Sequence, residues 1–219
     1  MSMTGKPVAE ETSEDWDERF RGGWQKAGGS YQSLLFAFNA LRVLWQEIHS
    51  LAEWQIEGDN VSAPKIVVHD YGCALGDGTA LLQAALPVAR VIGVDFSEEG
   101  ICRAQERWPT LSFKVGDITH PEDADIIWTS HTLEHVEDPS AAVALLLKHC
   151  KSLVVVVPYI VPEMHGGHEG SPATQEWVSK CPKPLTKDCY MTFRKTSDHE
   201  GIPESNVLLV WKGNLNKGA

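Results

Sequence analysis

Residues 67–79 read Val67-Val68-His69-Asp70-Tyr71-Gly72-Cys73-Ala74-Leu75-Gly76-Asp77-Gly78-Thr79. A short apolar run ends in an aspartate, a loop of small residues follows, and a helical pattern over residues 79–86 takes over. That is the strand–turn–helix opening of an α/β unit. Gly72 permits a tight turn, while Ala74 and Gly76 keep side chains small where a ligand would lie against the backbone. The following helix start offers unpaired N–H groups to a carboxylate or a phosphate.

Working outward, the same alternation repeats downstream. Residues 65–70, 90–95, 111–115, 125–129 and 153–157 read as buried strands, with helices over 79–86, 98–107 and 140–148. Trp108-Pro109 closes the second helix, and Asp138-Pro139 opens the third with an N-cap and a first-turn proline. Such alternation predicts a parallel sheet with helices on both faces. Residues 189–194 and 207–212 read as two more strands with no helix between them, an antiparallel hairpin finishing the sheet.

Upstream, residues 1–29 are polar and acidic around Glu10 to Glu18, and the start reads as a mobile tail. Trp16, Phe20 and Trp24 nonetheless predict that this segment folds down onto something. Over residues 30–57, Leu34, Phe38, Leu41, Trp45, Ile48 and Ala52 recur at three- and four-residue steps, the apolar face of an amphipathic helix that Gly58-Asp59-Asn60 ends. Residues 1–60 are thus expected as tail, lid segment and packing helix, and residues 61–219 as the core.

In parallel sheets, ligands bind outside the carboxyl ends of the strands. Those ends carry Asp70 through Gly76, then Asp95-Phe96-Ser97, then Gly116-Asp117-Ile118, then Ser130-His131. Asp95 follows Gly76 by 19 residues, where a carboxylate can accept from both hydroxyls of a ribose. Asp117 can accept from an amino group such as that of adenine. A dinucleotide fingerprint starting at Gly72 fails at Ala74 and Asp77, and one starting at Gly76 fails at Leu81; a Walker-type phosphate loop is absent.

These motifs resemble, in order and spacing, those of class I S-adenosylmethionine-dependent methyltransferases over residues 67–158. V-V-H-D-Y-G-C-A-L-G-D-G-T is similar to the family's first motif, G-V-D-F-S to its second, F-K-V-G-D-I to its third and S-H-T-L-E-H-V-E-D-P to its fourth. V-L-L-V-W-K suits its antiparallel last strand. The resemblance implies a Rossmann-like, seven-stranded, mostly parallel sheet and S-adenosylmethionine as cofactor, with S-adenosylhomocysteine as product. It implies that Asp70 and the backbone of Tyr71, Gly72, Cys73, Ala74 and Gly76 surround the methionine part. Asp95 would hold the ribose and Phe96 would lie beside the adenine. Gly116, Asp117 and the Ile118 N–H would meet the adenine edge, and Ser130 and His131 would floor the sulfonium. Ala74 departs from the family's usual glycine. The phrase W-D-E-R-F-R-G-G-W-Q-K-A-G-G-S-Y, from Trp16 to Tyr31, is similar to one in bacterial methyltransferases linked to surface-glycan gene clusters, implying that Trp16, Arg19 and Trp24 close a lid over the cofactor.

Methyl transfer to a hydroxyl needs in-line approach, water exclusion and a base. Among nine histidines, His131 directly follows the fourth strand and is the first candidate, with His135 and His168 as alternatives. Glu134, His135, His165 and His168 offer donors suited to a divalent cation, but L-E-H-V-x-D-P is common in metal-free members of the family, so no metal is expected. The acceptor is expected to be a small molecule or a saccharide, met by the first thirty residues and by loops 159–173 and 181–188.

With 219 residues, the chain can bury one core of ordinary size. Its net charge of −11 disfavours a uniform grip on nucleic acid. No stretch is long and apolar enough to read as a membrane span or a signal peptide, and five cysteines without a C-x-x-C pair suit a reducing cytoplasm. A monomer or a homodimer is expected. Two other readings share these features: a nicotinamide-dependent oxidoreductase on the same sheet, and a cofactor-binding partner protein without turnover.

Overall fold

The computed structural model describes residues 11–51, 66–87, 89–158, 174–184, 189–192 and 205–215. Two helices come first, α1 (Ser13–Gly22) and α2 (Gly29–Leu51). The alternating part then runs β1 (Ile66–Tyr71), α3 (Asp77–Ala85), β2 (Ala89–Asp95), α4 (Glu98–Arg107), β3 (Ser112–Val115), β4 (Ala124–Ser130), α5 (Pro139–Leu146) and β5 (Cys150–Pro158). Last come α6 (Thr174–Lys180), β6 (Cys189–Thr192) and β7 (Ser205–Lys212).

The strands lie in the order β3-β2-β1-β4-β5-β7-β6. The pairs among β1 to β5 are parallel, whereas β7 runs antiparallel to β5 and β6 antiparallel to β7. The order reverses direction between β1 and β4, so the carboxyl ends of β1, β2 and β4 open a crevice there.

Period-two alternation sorts the strand side chains onto two faces. Val68, Val91, Ile126, Trp128, Val154, Val156, Leu208 and Val210 meet α2 and α3. Tyr71, Ile127, Leu153, Val155, Val157, Leu209 and Trp211 meet α5 and Trp177 of α6. Residues 153–157 are buried throughout, as an apolar run at the centre of a doubly covered sheet should be. Local chemistry sets the helix starts. Thr12 and Asp15 form a reciprocal capping box at α1. Ser97 caps α4 by accepting from the Gly100 N–H, and Asp138 caps α5 ahead of Pro139.

One sequence expectation changes here. The inward face of α2 is built from Phe36, Ala37, Ala40 and Leu41, whereas Leu34 and Phe38 are 37% and 56% exposed. The helix is apolar on more than one stripe, and the stripe with alanines lets its backbone approach the sheet closely. Within the segment expected as tail and lid, Ser13–Gly22 form a capped helix. The chain's first ten residues, the helix stop at 58–60 and the histidine loop at 159–173 lie outside the described residues. Among the described residues no helix is long and apolar enough to cross a membrane.

The exposure difference on α2 is directly testable. Phe36→Ala should cost about 3–5 kcal/mol in urea unfolding, the range for removing a buried aromatic side chain. Phe38→Ala should stay within about 0.5 kcal/mol of wild type.

Candidate active site

A cavity of about 520 Å³ lies at the carboxyl ends of the parallel strands, a size ordinary for small-molecule sites. Its wall includes Asp70, Tyr71, Gly72, Cys73 and Ala74 after β1, Asp95 and Phe96 after β2, Gly116, Asp117 and Ile118 after β3, and Ser130 and His131 after β4. Trp16, Arg19 and His135 also line it. Of the candidate site residues named from the sequence, the cavity wall takes in all but Gly76, His165 and His168. Gly76 is absent from the lining: it caps α3 with φ +80, and a Cβ there would meet Phe113 at 2.6 Å. His168, like His165, lies outside the described residues.

The first loop is shaped by its backbone. Gly72 has φ +78, and a Cβ would fall 2.0 Å from the Thr132 hydroxyl. Ala74 adopts φ +50, a conformation that costs a non-glycine residue about 1–2 kcal/mol. That strain gives a physical reason for glycine at this position in the resembling family. It is offset by a hydrogen bond, in which the Ala74 N–H donates to Asp95 Oδ2 at 2.9 Å.

Asp95 also accepts from the Ser97 N–H at 3.0 Å, and burial pushes its carboxyl up to about 6 against these two bonds. Asp70 accepts from the Thr79 hydroxyl at 2.6 Å, and burial pushes it up to about 7. Asp117 is exposed and accepts from the Thr119 N–H at 2.7 Å. Burial also pushes the Cys73 thiol up, which makes it inert as a nucleophile.

The floor is built around His131. Its backbone φ is +54, its N–H donates to the Val156 carbonyl at 2.8 Å, and Phe36 stacks on its ring at 3.7 Å and 2°. Its Nδ1 lies 3.2 Å from Glu134 Oε1. Beside it the Ser130 hydroxyl is buried and has no hydrogen-bond partner among the described residues.

Helix α1 forms the far wall. Asp17 accepts from the Ser97 hydroxyl and from the Glu99 N–H, so α1 is fastened to the start of α4. Phe20 packs with Ala74 and Leu75, and Trp16 meets His135 edge-on at 5.1 Å. The Arg19 guanidinium lies 4.1 Å from the Trp16 ring and pairs with Glu11, which in turn sits 3.8 Å from His135 Nδ1. Sequence reasoning missed Glu11, Gln32, Ser33 and Phe36 as lining residues. For Glu11 a signal existed, since Thr12-x-x-Asp15 marks a helix start immediately after it. Among the described residues no group of three or more His, Cys, Asp or Glu could hold a metal ion.

Residues 69–155 match a family model described as "Methyltransferase domain". Trans-aconitate 2-methyltransferase of Rhodopseudomonas palustris (strain BisB5) is 37% identical over 97 residues, 43% of this chain and 35% of that protein. The chain spans about a third of the length of the curated relatives it matches. Among solved structures, a chain from a Haloferax volcanii complex of the Trm112 methyltransferase activator with a methyltransferase superposes with a TM-score of 0.56 at 17% identity, over 91% of this chain and 97% of that one. Geranyl diphosphate C-methyltransferase of Streptomyces coelicolor A3(2) superposes with 0.53 at 13% identity, over 80% and 82%. At such identities the likeness speaks for the fold alone. Residues 69–155 are thus similar to a methyltransferase domain, on a fold that solved methyltransferases share.

Proposed function

We propose that the protein transfers the methyl group of S-adenosylmethionine to a hydroxyl of a small neutral molecule, saccharides included. One observation carries this reading: Asp70, Asp95, Asp117 and His131, from four successive strand ends, line a single cavity. When bound, S-adenosylmethionine supplies an electrophilic methyl on a sulfonium, whose sulfur keeps the electron pair of the broken S–C bond.

The residues present fit that group. Asp70, Gly72 and Ala74 would hold the methionine part, Asp95 the ribose hydroxyls, Phe96 the adenine face, and Asp117 with the Ile118 N–H the adenine edge. The Ser130 hydroxyl, buried and without a hydrogen-bond partner among the described residues, would meet the bound cofactor. His131 would take the acceptor's hydroxyl proton while the oxygen lone pair forms the new C–O bond. On this reading α1 acts as the lid wall, residues 61–219 are the catalytic core, and β6 is the seventh strand of its sheet. The free thiols Cys73, Cys102, Cys150 and Cys181 fit a cytoplasmic setting.

Charge supports a neutral acceptor. The lining carries the carboxyl groups of Glu11, Asp70, Asp95, Asp117, Glu134 and Glu137. Among its described residues Arg19 is the sole Lys or Arg, and it is already held by Glu11 and Trp16. Juxtaposed like charges cost several kcal/mol, so a tricarboxylate such as the one naming the curated relatives is disfavoured here. Incubation with S-adenosylmethionine and trans-aconitate should therefore yield no S-adenosylhomocysteine above the acceptor-free rate, whereas neutral polyols and glycosides are the acceptors to screen. Formation of a trans-aconitate methyl ester would overturn the charge argument.

Calorimetric titration tests the cofactor reading. S-adenosylhomocysteine should bind saturably and NAD should not, and Asp95→Ala should weaken the former roughly tenfold or more. Asp95 and Asp70 ionise only as pH rises through about 6 and about 7, so a ligand held by their carboxylates gains affinity across that window. Affinity should thus fall between pH 7.5 and 5.5, and less steeply in Asp95→Asn. Binding of NAD instead would promote an oxidoreductase.

A further inference from the structure

We propose that the sheet face occupied by His69 carries a second binding site, for a small oxyanion (a phosphate or carboxylate group), between Arg90 and Lys114. Strand parity creates the place. His69 and Asp70 are consecutive on β1 and so point to opposite faces, Asp70 toward the candidate active site and His69 into a groove of about 620 Å³. The crossovers to β2, β3 and β5 each carry a helix, but the connection from β3 to β4, residues 116–123, carries none. Helix α4 packs on the other face through Ile101, Ala104 and Phe113. A floor of β1, β2 and β3 is thereby left open on the His69 side.

The strand registers decide which side chains meet there. His69 lies beside Ile92 of β2, and Ile92 beside Ser112 of β3. Arg90 stands two residues before that row and Lys114 two residues after it, on the same face. Four residues of strand, roughly 13 Å, lie between them, a span that two long cationic side chains close around one small anion. Both charges are available. Arg90 is exposed and enters no ion pair among the described residues. Lys114 pairs with Glu122 at 2.6 Å, but the Glu122 side chain is 68% exposed, and so open a pair contributes little. A bound anion can therefore take Lys114 from Glu122. The Glu122 N–H donates to the Tyr71 hydroxyl at 2.9 Å, so the backbone stays fastened when the side chain swings away. Asp123, the other carboxylate in the lining, is held by His149 at 2.7 Å.

His69 supplies an independent sign. It is 3% exposed, and its Nδ1 has no hydrogen-bond partner among the described residues. Buried polar atoms normally have one. Packing alone asks here only for an apolar side chain, such as Val67 and Ile92 on the same face. Burial first, and Lys114 next, push the imidazole below its ordinary value, so the ring is neutral near pH 7. With its proton on Nδ1 and a small turn of the ring, His69 would donate to an oxyanion on the groove floor, and the Ser112 hydroxyl is a second donor in the lining.

The test is 15N NMR of the full chain, titrated separately with sodium phosphate and sodium acetate at an ionic strength held constant with sodium chloride. At least one anion should give saturable shifts at His69, Arg90, Ile92, Ser112 and Lys114, with a Kd of about 1 mM or tighter. The tighter of the two names the group. Arg90→Gln and Lys114→Gln should each weaken binding roughly tenfold. Glu122→Gln, which frees Lys114, should tighten it about twofold. The unshifted remainder of each spectrum verifies that these surface variants fold. No saturable shift with either anion overturns the proposal, as do shifts that chloride alone reproduces or that all three substitutions leave unchanged. Shifts confined to the candidate active site overturn it too. So do shifts that follow protein concentration without added anion, because a second copy of the chain then covers the groove. The titration uses neither S-adenosylmethionine nor an acceptor, so its outcome is independent of the proposed reaction.

Discussion

The carboxylate of Asp95 ties the site together. One oxygen accepts from the Ala74 N–H and the other from the Ser97 N–H, so a single side chain joins the loop after β1 to the loop after β2. The first bond helps hold Ala74 in its left-handed conformation. Without the second, the cap of α4 would lose its anchor. Ser97 then passes the order outward, since its hydroxyl both caps α4 and donates to Asp17 of α1. The shape of the ligand cradle and the docking of the N-terminal helix thus depend on one buried group that also titrates near neutrality.

That dependence explains the electrostatics of the cavity. Burial raises the carboxyls of Asp70 and Asp95 and makes them sensitive to whatever binds. A cationic or hydroxyl-rich ligand relieves the cost of that burial, whereas an anion adds to it. Trp16, Phe20 and Trp24 wall the same cavity as His131, and on the proposed reading that enclosure would keep water from the acceptor.

Much of this was legible in the sequence, for physical reasons that differ by element. The strands declared themselves because burial on both faces demands unbroken apolar runs, and 153–157 is such a run. The candidate aspartates were legible because each lies at or just beyond the carboxyl end of a strand, where parallel sheets bind ligands. The face of α2 was not, because two apolar stripes compete on that helix and only the packed sheet chooses Phe36 over Phe38. From that choice follows the stacking of Phe36 on His131, a contact across 95 positions of chain that no local spacing encodes. Helix α6 went unread because prolines at 172, 182 and 184 crowd a segment of only seven residues. Glu11 was hidden within an acidic stretch that reads as solvated tail until α1 is seen to dock.

The central claim is that one cavity holds the cofactor with its reactive centre against His131. A crystal structure with S-adenosylhomocysteine tests it most directly. The account predicts both ribose hydroxyls on the Asp95 carboxylate, the adenine between Phe96 and Ile118, and the sulfur turned toward Ser130 and His131. A ligand seated elsewhere, or with its sulfur facing away from His131, would contradict it.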